Sequence, residues 1–260
     1  MAMIRRDGVG IWVETWGDGA PLLLIHGLGM SGQLWRYQEA ALAPHYRGIA
    51  VDLRGFGRSD RPNGPGAYAI EEMGRDMAAV VRAVAGGRAH ILGTSMGGFI
   101  ALALALTEPA LCRSLVLCHT GARMSMPDDV LASRVEALGR MSMGEYGRLV
   151  ASQALEVQSP ELFDWVAATI AANDRASYTQ VLTEGLWGFD VTDRVPEIRI
   201  PALVVVGERD RVIPPSEGRA LAAQLPRAEL VTIPGVGHLG YAERPADFNA
   251  AVLPFLGSQP

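Results

Sequence analysis

Positive charge is sparse and dispersed in this chain: 23 lysines and arginines stand against 28 aspartates and glutamates, a net charge of −5, with no basic run. A face that binds nucleic acid needs clustered cations to displace phosphate counterions, so no nucleic-acid partner is expected. Cysteine is scarce. The two present, Cys112 and Cys118, flank an apolar stretch beginning near Ser114. Neither sits in a Cys-x-x-Cys or mixed Cys/His spacing, which predicts no metal site and two free, buried thiols. The opening Met1-Ala2-Met3-Ile4-Arg5-Arg6-Asp7 has no apolar signal core, and no apolar run approaches the ~18 residues of a membrane span. The expected setting is therefore a reducing cytoplasm with no membrane attachment. Internal repeats and low-complexity tracts are missing too, and with them any repeat-built scaffold.

What the chain does have is apolar residue, 49% of its 260 positions. That is enough to bury roughly three-quarters of the extended surface around one core without disulfide or metal. Strand-like runs occur at 11–15, 22–25, 48–51, 89–92, 115–118, 203–206 and 230–233, and after a first hairpin they alternate with helix-like stretches. Such alternation predicts a mostly parallel sheet covered by helices on both faces. The rhythm breaks from about Ala122 to Val195, where no β-rich run occurs and helical patterns dominate; at Ser159-Pro160 serine caps a helix and proline takes its first turn. This interval is read as a helical lid, residues 122–195, on a core formed by 1–121 and 196–260. Met124, Met126, Met141, Met143, Trp165 and Trp187 fall in it. They either roof an apolar pocket or pack the lid helices on one another.

Gly93-Thr94-Ser95-Met96-Gly97 lies between the run ending at Leu92 and an Ala- and Leu-rich segment, Phe99 to Leu106, that closes at Glu108-Pro109 as a helix does. Strand, tight turn and helix in that order form a nucleophile elbow. A serine hydroxyl attacks only when a base removes its proton, and glycines two before and two after it let the turn form without a Cβ clash. Later strands run into Asp210, within Gly207-Glu208-Arg209-Asp210, and into His238, within Gly235-Val236-Gly237-His238. Upstream, Pro21 to Ile25 empties into His26-Gly27-Leu28-Gly29, where exposed backbone N–H groups can receive an oxyanion.

These motifs, with Asp52-Leu53-Arg54-Gly55-Phe56-Gly57-Arg58-Ser59, occur in the order found in α/β-hydrolases, which the chain resembles over nearly its whole length. Asn173 to Tyr178, leading through Asp190 and Asp193 to Pro201, is similar to 3-oxoadipate enol-lactonases and their esterase relatives. The resemblance implies a mostly parallel eight-stranded sheet flanked by helices, with the lid inserted after the sixth strand. It also implies Ser95 as nucleophile, His238 as base, Asp210 as its acid, and the N–H groups of Leu28 and Met96 as oxyanion hole.

Asp210 competes with Glu208, Asp190 and Asp193, but it alone follows a strand at the family's acid turn, and nothing acidic follows the strand ending at Cys118. His26, His45, His90 and His119 are expected to be structural, His26 tethering the oxyanion turn. Asp52 and Arg54 are read as a structural turn. Arg123, at the lid entrance, is either a cation for a carboxylate-bearing substrate or a solvated surface arginine, and Met124, Trp165 and Trp187 are the other substrate-contact candidates.

The expected activity is hydrolysis of a carboxylic ester or lactone through an acyl-enzyme, with a small molecule as partner and no cofactor or metal. Carbon–carbon bond hydrolysis, perhydrolysis and a non-catalytic receptor role would retain the same three residues. The sequence assigns no oligomeric state. A serine at position 95 argues against haloalkane dehalogenase or epoxide hydrolase chemistry, where the family carries aspartate.

Overall fold

In the structure, a computed structural model describing residues 1–124, 127–157 and 159–259, the apolar runs assemble into one eight-stranded sheet. The strands are β1 (Ala2–Arg6), β2 (Val9–Trp16), β3 (Ala20–Ile25), β4 (Tyr46–Asp52), β5 (Ala89–Thr94), β6 (Cys112–Cys118), β7 (Ala202–Gly207) and β8 (Ala228–Ile233). Their spatial order is β1-β2-β4-β3-β5-β6-β7-β8. Pairings of β1 with β2 and of β2 with β4 are antiparallel and all others are parallel.

Strands β5 and β7 are buried at every position because helices cover both faces. The helices are α1 (Arg36–Leu42), α2 (Ile70–Val84), α3 (Met96–Thr107), α4 (Asp128–Arg140), α5 (Met143–Ala154), α6 (Pro160–Ala171), α7 (Arg175–Gln180), α8 (Pro215–Gln224), α9 (Gly240–Glu243) and α10 (Pro245–Gly257). Helix α3 sits at the centre and is apolar all round, so ten of its twelve residues are buried.

Strand β1 has no counterpart among the seven apolar runs. Its sequence Ala-Met-Ile-Arg-Arg buries no residue fully, and it pairs only at the sheet edge, joined to β2 through a turn in which Asp7 and Gly8 take φ values of 50° and 85°. Edge strands need no buried apolar face and therefore leave little sequence signal.

Helices α4 to α7 all lie between β6 and β7, where the rhythm of the sequence breaks. The legs of this insertion are tied together: Met124 N–H donates to Phe189 O at 2.9 Å, and Val191 N–H donates to Ala122 O at 2.9 Å. Ser159 caps α6, accepting from Leu162 N–H at 3.3 Å, with Pro160 in the first turn. Met126 lies outside the described residues. Both cysteines are free and buried, and burial pushes the Cys112 thiol up to about 12 and that of Cys118 higher still.

Candidate active site

Ser95 joins β5 to α3 with φ 54° and ψ −120°, a conformation rare for a residue with a side chain. The surroundings hold it there. A Cβ at Gly93 would strike the carbonyl of Gly97, and one at Gly97 would strike the carbonyl of Ile25, so both glycines are required by close backbone approach. Ser95 N–H donates to Cys118 O at 2.9 Å, and the Thr120 hydroxyl donates to Ser95 O at 3.0 Å. The strained turn is thus pinned to the end of β6.

Asp210 follows β7, and His238 follows β8. His238 Nδ1 lies 2.8 Å from Asp210 Oδ2, while Oδ1 accepts from the N–H groups of Val212 at 2.9 Å and Ile213 at 3.0 Å. Burial by itself would raise the carboxyl's pKa, but the neighbouring His238 charge and the imidazole hydrogen bonds outweigh it and hold Asp210 well below the usual carboxylate range. The acid is ionised and oriented by the time a substrate arrives.

A second histidine shares that carboxylate. His119 Nδ1 lies 3.2 Å from Asp210 Oδ2, its side chain is fully buried, and its ring meets those of His238 and Tyr241 edge-on at 5.8 and 5.9 Å. A Cβ at Gly240 would come within 3.0 Å of His119 Nε2 and one at Gly207 within 3.1 Å of Cε1, so the two glycines make room for the ring. Burial lowers the His119 pKa despite the hydrogen bond to Asp210, which keeps this imidazole neutral near pH 7. From the sequence His119 is expected to be structural; the signal for its contact with Asp210 is its place directly after Cys118, at the end of β6.

His119, Asp210 and His238 place ligand atoms within 4.8 Å of one another, a spacing compatible with a metal ion. Both Nδ1 atoms face one carboxylate oxygen at hydrogen-bond distance, however, so each carries a proton there rather than a free lone pair. Hydrogen bonding accounts for the cluster.

His26 is also buried. Leu53 N–H donates to its Nε2 at 2.9 Å, so the proton sits on Nδ1, which donates to Gly27 O at 2.7 Å and ties the His26-Gly27-Leu28-Gly29 turn to the exit of β4. That turn abuts the elbow: a Cβ on Gly27 would lie 3.2 Å from Ser95 Cβ. Met96, the first residue of α3, presents one of the helix's unpaired N–H groups beside Ser95. Asp52 accepts from Gly32 N–H at 2.7 Å and Arg58 N–H at 2.9 Å, and Arg54 pairs with Asp76 at 2.6 Å; both are structural, as expected.

Ser95 and His238 open into one apolar cleft with about 780 Å³ of empty space, part of it open to solvent, whose walls include Leu28, Met124, Ile170, Leu186 and Tyr241. Of the expected substrate-contact residues, Met124 lines it. Arg123, Trp165 and Trp187 do not. In the short pairing of the insertion's legs successive residues face opposite sides, so Met124 turns inward and Arg123 outward, where its Nε lies 3.8 Å from Glu217 Oε2. On α6 the cleft receives Val166 and Ile170, one turn apart. Trp165 is rotated away from them beneath the Arg36 guanidinium, 4.1 Å from the ring centroid. Trp187 follows the cleft-lining Leu186 and is 40% exposed. The cleft's cation is instead Arg134, on α4.

A doubly covered, mostly parallel sheet with a serine on the elbow after β5 and a histidine–aspartate pair after β8 and β7 is the architecture of a hydrolase. A family model described as the alpha/beta hydrolase family matches residues 22–251, and the chain belongs to that family. A protein described as a carbamate hydrolase, RutD, from Azorhizobium caulinodans is 32% identical, with 95% of each chain covered. The pimeloyl-[acyl-carrier protein] methyl ester esterase of Aeromonas salmonicida is 28% identical over 96% of this chain and 100% of that one. Among solved structures, the enol-lactonase from Burkholderia xenovorans superposes with a TM-score of 0.92 at 27% identity, covering 99% of this chain and 100% of the other. Among the described residues no helix is long and apolar enough to cross a membrane.

Proposed function

We propose that this hydrolase cleaves a carboxylic ester or lactone through an acyl-enzyme on Ser95. The observation that carries the reading is the strained Ser95 turn sharing one cleft with His238, whose far nitrogen lies 2.8 Å from the ionised Asp210. His238 takes the Ser95 proton as Oγ attacks the acyl carbonyl. The C–O bond of the ester breaks when His238 returns that proton to the leaving alkoxide, and water activated by His238 then releases the acid. Asp210 fixes the tautomer and stabilises the imidazolium without taking its proton. The N–H groups of Leu28 and Met96 receive the oxyanion. All proton movements are met by these side chains, so the reaction calls for no cofactor. Residues 122–195 act as a lid whose inner face, including Met124, sets which acyl groups fit.

The relatives named for ester, lactone and carbamate cleavage share an attack on an acyl carbon, and they define the panel that tests the reading. Wild-type protein and Ser95→Ala are assayed on p-nitrophenyl esters, lactones and carbamates. Turnover of esters or lactones by the wild type, with a loss in kcat on the order of 10⁴ in the variant, is expected. Retention of more than a tenth of the rate by Ser95→Ala removes Ser95 from the mechanism, and turnover of carbamates alone replaces the substrate assignment.

A further inference from the structure

Among the described residues lining the cleft that holds Ser95 and His238, Arg134 alone carries a permanent charge. It also lines an adjoining surface pocket together with Val150, Gln153 and Val212, which places it where the cleft opens outward. Many arginines of this protein face a carboxylate, as Arg54 does Asp76 and Arg209 does Glu156. Arg134 has no such partner among the described residues. Its Nη2 donates at 3.3 Å to the neutral amide oxygen of Gln153 on α5, leaving the Gln153 NH₂ group as a second donor beside it. The positive charge reaches inward as well, partly offsetting the rise that burial imposes on the pKa values of Tyr146 and Tyr178.

Arg134 is half-buried at the rim of a mostly apolar cleft, and a guanidinium there with its donors uncommitted to any acid can receive a planar anion through paired N–H donors. We infer that Arg134, with Gln153, is an anion-binding subsite, and that the esters or lactones cleaved here carry a carboxylate remote from the scissile carbonyl. This deepens the hydrolase reading and rests on it for the word substrate. A carboxylate could belong to the acyl part or to the alcohol part; both offer Arg134 the same bidentate oxygens.

Two matched series separate these sources. In the first, kcat/KM for the p-nitrophenyl monoester of glutarate is compared with that for p-nitrophenyl pentanoate. In the second, the pentanoate ester of hydroxymethylbenzoate is compared with benzyl pentanoate. Wild-type protein should prefer the charged member in one series, and that series identifies the part carrying the carboxylate. Arg134→Leu should lower the charged-to-neutral ratio about tenfold, with Arg134→Lys retaining part of it and added salt eroding it.

Calorimetric titration with glutarate and with pentanoate reads the same subsite without turnover. If no ester is cleaved but glutarate binds more tightly, and Arg134→Leu removes the difference, the ester assignment falls and the subsite stands. A ratio unchanged within twofold in Arg134→Leu, in a variant with wild-type melting temperature, overturns the subsite. So does a wild-type preference for the neutral member of both series. Should Arg134→Leu fail to fold, Arg134→Gln carries the same comparison.

Discussion

Asp210 is the most heavily bonded carboxylate of the site, with two backbone N–H groups on Oδ1 and two imidazoles on Oδ2. Each donor disperses its negative charge, and His119 does so as a neutral partner because burial lowers its own pKa. The groups facing His119 are Asp210, Glu243 and Tyr241, together with His238, whose positive charge when protonated further disfavours a proton on His119. Removing the His119 donor leaves more charge on Asp210 and a stronger attraction for protonated His238. His119→Leu is therefore expected to move the acid limb of kcat/KM to higher pH by roughly half a unit and to slow turnover about three- to tenfold. His119→Asn, whose amide nitrogen can reach the same oxygen, should restore most of both. An unmoved limb in His119→Leu, or equal damage in the two variants, would reduce His119 to a packing residue.

At the level of elements, the loop carrying His238 and the helical insertion are latched together. Glu243, at the end of α9, accepts from Gly237 N–H on Oε1 at 2.9 Å and from Glu156 and Val157 N–H on Oε2 at 2.9 and 2.7 Å. His238 N–H itself donates to Ala154 O at 2.8 Å, at the end of α5. Glu156 in turn pairs with Arg209 at 3.0 Å and with Arg211, the residues on either side of Asp210. The proposed lid thus positions the histidine loop as well as roofing the cleft. Glu243→Ala removes three acceptors at once and should cost about 2–4 kcal/mol of stability, with kcat falling more than KM rises as the loop loosens. Urea unfolding together with steady-state kinetics checks it, and an unchanged kcat in a destabilised but folded variant would mean that the latch serves stability alone.

For the whole molecule, three histidines are buried with lowered pKa values: His26, His119, and His90, which burial and two nearby arginines bring down to about 4. The unfolded chain takes up protons on these residues near pH 6.5, before the folded protein does, so stability is lost as pH falls through that value toward the folded ones. Asp210, held low, adds stability above its unfolded value near 3.9 and loses it below, which works in the same direction. Each histidine contributes at most about 1.4 kcal/mol per pH unit. The urea midpoint should fall steadily from pH 7 to 4.5, and a midpoint constant over that range would contradict the neutral burial of these rings.

The same scale shows what the sequence could tell. Buried parallel strands were legible because covering both faces demands runs such as Leu203 to Val206, and Ser95 was legible because its turn demands glycine at 93 and 97. The edge strand β1 buries nothing and left no such mark. His119 reaches Asp210 across 91 positions, Glu243 bridges 87 to Glu156, and Arg134 faces the cleft from a largely exposed helix. Those pairings exist only after folding and follow no spacing along the chain. Trp165, Trp187 and Arg123 were placed in the right segment, but helix phase and strand alternation turned them away from the cleft.

The central claim is that Ser95 is a nucleophile made reactive by His238. Mass spectrometry of the intact protein after brief exposure to a fluorophosphonate, followed by peptide mapping, tests it most directly. The account predicts a single adduct on the peptide containing Ser95 in the wild type, none in Ser95→Ala, and labelling slowed by several orders of magnitude in His238→Ala. Labelling on another residue, or labelling of Ser95 at the same rate without His238, would contradict it.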